Sequence, residues 1–198
     1  MMAQLPTNAA LLVIDVQNAI DHPSWGLRNN PGAEKNIAAL LEAWRATGRP
    51  IYHIRHDSRE PNSHYRQGQP GHDFKPEARP LSGEIVIPKQ TNSAFIGTDL
   101  EARLRSAGEN VLVVTGVITN NSVEATVRMA GNLGFETFLD EDAVFTFGRK
   151  DWKGTPRTAD EVHAMSLANL DGEYCTVMRT QDVLDAVRDS AGSRSAGQ

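Results

Sequence analysis

The sequence predicts an α/β protein, a three-layer α/β/α sandwich in which a six-stranded parallel sheet carries helices on both faces. Three observations point there. Short uninterrupted apolar runs such as Leu11–Ile14 and Val111–Val114 read as strands buried on both faces. Segments with a helical apolar period lie between such runs, and most connections are short, which suits parallel strands joined by right-handed crossovers.

Leu11–Ile14 is the first strand and ends at Asp15. Asn30 is placed as the cap of the first helix with Pro31 in its first turn; Ile37, Leu40, Leu41 and Trp44 make one buried face, and Gly48 stops it. Ile51–Ile54 is the second strand. The polar, Pro- and Gly-rich stretch from Asp57 to Gly83 is too long for an ordinary connector, and such loops usually carry function. Glu84–Pro88 is the third strand. Thr98-Asp99-Leu100-Glu101 reads as a capping box opening a helix with Leu100 and Leu104 inward, closed by Gly108. Val111–Val114 is the fourth strand. A helix from about Ser122 places Val123, Val127 and Ala130 on one face before Gly134. Phe135–Leu139 is the fifth strand, Thr158-Ala159-Asp160-Glu161 a second capping box, Cys175–Met178 the sixth strand and Thr180–Val187 the last helix. Residues 1–189 thus read as one domain and 190–198 as a disordered tail.

Composition narrows the function. With 39% hydrophobic and 23% charged residues over 198 positions, the chain is of ordinary globular make-up and can bury roughly 70% of its unfolded surface without a metal or disulfide. Cys175 is the one cysteine, reads as a buried strand thiol, and fits a reducing, cytoplasmic compartment. The net charge of -5, with no concentration of Lys and Arg on one face, argues against nucleic acid as a partner. Apolar runs fall short of the roughly 20 residues that cross a bilayer, and the first residues lack a secretory pattern, so no membrane partner is expected. Asn120-Asn121-Ser122 matches a glycosylation sequon and is read as chance.

The dinucleotide, P-loop, zincin, C-x-x-C and G-x-S-x-G motifs are absent. The six histidines show no helical metal spacing, and neither a metal nor a cofactor is expected. In a parallel α/β sheet the ligand sits outside the carboxyl ends of the strands, so strand-end residues matter most. Asp15, Lys89 and Ser122 hold such positions after the first, third and fourth strands. Each alone has a plain reading, as a turn cap, a solvated charge and a helix start. Together they offer a carboxylate, an ammonium that keeps it ionised and a hydroxyl at the positive end of a helix, the combination acyl transfer requires. Trp25, His56 and Asn121 lie near the same rim as candidate walls for a small-molecule substrate, and Phe95 reads as a packing residue that fixes Lys89. Asn121-x-x-Glu124 is a capping-box-like pattern around Ser122.

Leu11–Gln17 (LLVIDVQ), Lys89–Phe95 (KQTNSAF) with Gly97-Thr98, and Gly116–Glu124 (GVITNNSVE) resemble, in order, the three signatures of the isochorismatase-like hydrolases, and the likeness runs from about Ala9 to Asp185. The resemblance implies a Rossmann-like parallel sheet and an oligomer, a homodimer or homotetramer. From the amide-cleaving members it also implies a catalytic Asp, Lys and Cys falling on Asp15, Lys89 and Ser122. A cis peptide before Ile118, with backbone N–H groups of Ile118 and Ser122 forming an oxyanion hole, belongs to the same expectation. The chain departs from the family at the nucleophile, where Ser122 replaces cysteine. A thiol is partly thiolate near neutral pH, whereas a serine hydroxyl needs a base. Family members acting on the vinyl ether of isochorismate also lack the cysteine, and there the Asp acts as an acid. Three readings of Ser122 stand open: a working nucleophile, a natural replacement in a non-covalent or inactive relative, or a substitution made to trap substrate. The expected function is hydrolysis of a small amide, ester or enol ether, the alternative a non-catalytic small-molecule binder. A phospho-acceptor domain is disfavoured because Val16-Gln17, not a second acid, follow Asp15.

Overall fold

A computed structural model describes residues 5–195, with side chains described as far as Ser190. The strands are β1 (Ala10–Ile14), β2 (Ile51–His56), β3 (Ile85–Lys89), β4 (Val111–Val117), β5 (Glu136–Phe145), β6 (Arg149–Lys150), β7 (Pro156–Arg157) and β8 (Thr176–Met178). The helices are α1 (Ala33–Thr47), α2 (Leu100–Ala107), α3 (Glu124–Asn132), α4 (Ala159–Ala168) and α5 (Thr180–Ser195). Six strands form one parallel sheet in the order β3-β2-β1-β4-β5-β8.

Alternation along β1 separates the two cores. Ala10, Leu12 and Ile14 pack with Leu100 and Leu104 of α2, Val127 and Ala130 of α3 and Leu167 of α4. Leu11 and Val13 pack with Ile37, Leu40, Leu41 and Trp44 of α1 and with Val183, Ala186 and Val187 of α5. This is the expected three-layer sandwich, and the reversal of strand order between β1 and β4 opens the crevice where ligands bind in such sheets.

Several local readings change. Asn30 does not cap α1, whose N-cap is Gly32 without a side-chain bond. Its amide instead donates to the carbonyls of Glu141 (2.8 Å) and Val144 (2.7 Å), long-range acceptors that tie the loop to β5. The Thr98–Glu101 box does not form, because the Thr98 hydroxyl donates to Ala94 O at 2.6 Å and the N-cap of α2 is Asp99. Thr158–Glu161 does form a reciprocal capping box. No side chain caps the turn at Asn121: residues Thr119–Val123 form a wide π-type turn that runs into α3. β5 is longer than expected, Cys175 is buried but precedes β8, and β6–β7 is a hairpin that the residue pattern did not announce. The last helix continues to Ser195, past Val187 and into the segment read as a tail; 196–198 lie outside the described residues.

Gly116 sets how closely β1 and β4 approach. At φ +119° it pairs with Ile14, and a Cβ placed there would lie 2.2 Å from Ile14 O. Gly116→Ala is expected to lower stability by more than about 2 kcal/mol, since backbone on both strands must shift. Urea unfolding measures it; a midpoint equal to the parent would refute the close-approach argument.

Asp140, at the C-terminal half of the sheet, is fully buried beside Asp142, and its Oδ2 has no hydrogen-bond partner. Burial and the neighbouring Asp142 push its carboxyl up to about 8, against a smaller opposing effect of the Thr180 hydroxyl, which lies 2.9 Å from Asp140 Oδ1. The folded protein therefore keeps this proton to about pH 8, whereas the unfolded chain loses it near the ordinary 3.8. Unfolding in that window releases a proton, so this group lowers stability progressively as pH rises through it. For Asp142, burial opposes ionisation but hydrogen bonds from Asp140 and Thr180 hold its carboxyl below the usual range; its contribution is favourable and is lost only in acid. Thermal melts of Asp140→Asn are expected to lie above the parent at pH 8 and to vary less between pH 5 and 8. A melting temperature below the parent throughout would contradict this.

Candidate active site

Asp15 ends β1 in the left-handed region, φ 54°, so its side chain turns off the strand axis at the C-terminal rim. Its N–H bonds to Ile54 O of β2 at 2.9 Å, and Gln17 N–H returns to Asp15 O at 2.8 Å. Lys89 ends β3, two strands away, and its ammonium crosses the end of β2 to reach Asp15 Oδ2 at 2.7 Å. Both side chains are buried, the lysine with 1% of its surface exposed.

The same ammonium lies 3.1 Å from Thr91 O, 3.3 Å from His56 Nδ1 and 3.3 Å from Ser122 Oγ. Three hydrogens face four acceptors, so the two shorter bonds orient the group and the two longer ones share what is left. Asp15 Oδ1 is buried and has no hydrogen-bond partner. One carboxylate oxygen is thus held by lysine while the other is an open acceptor.

Ser122 is held in place by its neighbours. Thr126 Oγ1 donates to Ser122 O at 2.7 Å and accepts from Ala94 N at 3.0 Å, joining the loop after Lys89 to the turn that carries Ser122. From the other side, Ser166 of α4 donates to Glu124 Oε2 at 2.6 Å. The Val117–Ile118 peptide is cis, as the resemblance implied.

A cavity of about 260 Å³ lies beside this group, with Asp15 and Ser122 among its lining residues. Trp25, His56 and Asn121, the three expected wall residues, all line it, as does Ile118. Trp25 donates from Nε1 to Ala19 O at 3.0 Å and stacks on Phe147, which fixes its ring. His56 is edge-on to Tyr65, and burial pushes its imidazole below the usual range despite the opposing charge of Asp15. Phe95 stacks on Phe135 against the core, and the Lys89 ammonium donates to Thr91 O.

Other residues of the site were not singled out from the pattern. Ser63, His64 and Tyr65 come from the long loop after β2, and Asn92 from the loop after β3. Gln17 accepts from His56 N (2.7 Å) and donates to His56 O (3.2 Å) and His72 O (2.7 Å), clamping the end of β2 and the loop to β1. A buried glutamine two residues after a strand end was the available signal. A larger groove of about 1230 Å³ runs beside α4 and the β6–β7 hairpin, past exposed Trp152 and Met165, and is lined by none of the candidate residues Asp15, Lys89 and Ser122. No helix among the described residues is long and apolar enough to cross a membrane.

A parallel-sheet α/β sandwich with a buried carboxylate–ammonium pair and a hydroxyl beside a small cavity places the protein in the α/β class with a candidate small-molecule site at the carboxyl ends of its strands. Residues 9–182 match the isochorismatase domain, and the chain belongs to the isochorismatase family of hydrolases. An isochorismatase-family protein of known structure from Chromobacterium violaceum is 64% identical, with a TM-score of 0.92 over 96% of this chain and 100% of that one. The uncharacterized isochorismatase family protein YrdC of Bacillus subtilis is 40% identical over 176 residues, 89% of this chain and 94% of its own. Nicotinamidase 3 of Arabidopsis thaliana is 29% identical over 175 residues, 82% of this chain and 80% of its own.

Proposed function

We propose that the protein hydrolyses a small carboxamide by acyl transfer to Ser122. The observation that carries the reading is the Lys89 ammonium, 2.7 Å from Asp15 Oδ2 and 3.3 Å from Ser122 Oγ, with Oδ1 of Asp15, a cavity-lining residue, left as an open acceptor. The nicotinamidase relative supports an amide as the bond cleaved.

In this reading Ser122 Oγ attacks the amide carbon while its proton passes to Asp15 Oδ1. A carboxylate is a weak base for a hydroxyl, so proton transfer runs together with C–O bond formation, and the Lys89 hydrogen bond steadies the developing charge on Oγ. Backbone N–H groups of Ile118 and Ser122 receive the oxyanion. Asp15 then protonates the leaving nitrogen as the C–N bond breaks. Water attacks the acyl-serine, giving a proton to Asp15; the acyl–Oγ bond breaks, Oγ regains a proton, and the acid product leaves. Association as a homodimer or homotetramer belongs to the same reading, and a monomer by light scattering at micromolar concentration would remove it.

The direct test is rapid quenching during turnover of a carboxamide panel, with intact-mass and peptide mapping for an acyl adduct on Ser122. Turnover of isochorismate alone, without any adduct, would replace acyl transfer by acid chemistry at Asp15. Binding without turnover of any amide, ester or isochorismate would leave a small-molecule binder.

A further inference from the structure

We propose that this site selects an uncharged substrate and excludes carboxylates. The inference rests on the amidase reading and names the substrate class within it. Its basis is the charge state of the cavity wall. Among the described residues no arginine or lysine lines the cavity, and its titratable lining groups that can carry charge are the Asp15 carboxylate and the imidazoles of His56 and His64.

Lys89 is not available as a counter-ion. Its ammonium is 1% exposed and already faces Asp15 Oδ2, Thr91 O, His56 Nδ1 and Ser122 Oγ, more acceptors than it has hydrogens. On the flanking segments Arg55 is paired with Asp57, Arg28 with Glu34, and Lys75 with Asp21 and Glu34, while Arg59 and Arg66, on the loop that carries Ser63–Tyr65, are not among the residues that line the cavity. Above the ordinary imidazole range, where His56 and His64 add no charge, a substrate carboxylate would enter a small cavity lined by Asp15 with no lysine or arginine in its wall to meet it, and a desolvated unpaired charge is among the costliest things to bury.

What the wall does offer suits a neutral amide. With Nδ1 turned to the Lys89 ammonium, neutral His56 carries its proton on Nε2, which gives this lining residue a donor. Asp15 Oδ1 is an acceptor, and the Asn92 and Asn121 amides can do either. Trp25 and Tyr65 add flat apolar surface. A carboxamide presents both an N–H for the acceptor and a C=O for the donors. The same logic favours release, because hydrolysis converts the neutral amide into a carboxylate beside Asp15.

Succinamide and succinamate are nearly isosteric and differ by one charge. At about pH 8, above the ordinary imidazole range, kcat/KM for succinamide is expected to exceed that for succinamate by at least about 100-fold, the scale set by an unpaired buried charge. Calorimetric binding of the same pair to Ser122→Ala reads the preference without turnover. Succinamate processed or bound as well as succinamide overturns the inference and leaves the amidase reading intact. Preferential binding of succinamide to the alanine variant, with no hydrolysis by the parent, upholds the charge selection and defeats the amidase reading. If neither compound is bound or hydrolysed, both are overturned. Asn121→Lys places an ammonium at the wall and is expected to narrow the ratio at least tenfold; an unchanged ratio in a folded variant counts against the inference.

Discussion

Lys89→Met is expected to lower folding stability by about 3–5 kcal/mol, the cost of breaking a buried ion pair from one side. The pair is closed to solvent: Lys89 has 1% and Asp15 4% of its surface exposed, and their 2.7 Å contact lies beside the cavity. Methionine fills the space of the stem but leaves the Asp15 carboxylate with no counter-charge, and removes the donor shared by Thr91, His56 and Ser122. Turnover should vanish with it. Urea denaturation gives the stability, and the double variant Asp15→Asn/Lys89→Met separates the causes: it should recover much of the stability, since no orphaned charge remains, and none of the activity. A loss below about 1 kcal/mol in the single variant, the range of exposed ion pairs, would show that the pair is not the closed element described here.

Ser122→Ala is expected to lower kcat by about 10³-fold or more, leaving the residual rate that binding and oxyanion donors provide. Its effect on stability should be small, under about 1 kcal/mol, because the hydroxyl makes a single long contact with the Lys89 ammonium. That contrast with Lys89→Met distinguishes chemistry from folding. Ser122→Cys should remain active, since a thiol ionises far more readily than a hydroxyl and keeps the same place over Asp15. Alanine retaining the parental rate would mean that no bond forms to residue 122, and Asp15 would then act without a covalent intermediate. Activity in the cysteine form alone would mark the serine as an inactivating replacement.

Asp15 and Lys89 were legible because they stand at strand ends, and Ser122 because it stands at the helix start that follows the fourth strand. In a parallel sheet buried on both faces, each strand is a run of apolar residues, and the first polar residue after it must stand at the rim. Asp15, Lys89 and Ser122 could therefore be placed together from hydrophobic pattern and chain order, and the three signature segments agreed. Trp25, His56 and Asn121 followed from nearness to that rim.

Other features were not legible, for reasons that differ. A Ser/Thr/Asn side chain near a helix start has many possible partners, and the choice depends on which carbonyls the fold brings near. Asn30 found β5 and Thr98 found Ala94, while Thr158, with no such competitor, capped its helix. Ser63, His64 and Tyr65 sit in a polar loop with no period, so nothing in the pattern distinguishes the face turned to the cavity.

Sequence alone determined the α/β class, the parallel strand runs, the cap at Thr158 and the chemical types at the rim, because local propensity and apolar periodicity act over a few residues. Tertiary structure decided which acceptors share the Lys89 ammonium, which oxygen of Asp15 is left unpaired, that Gln17 clamps β2, and that among the described residues no lysine or arginine lines the cavity. Those outcomes depend on distances between residues as many as 74 positions apart in the chain, which are set by strand register and layer packing rather than by any local preference.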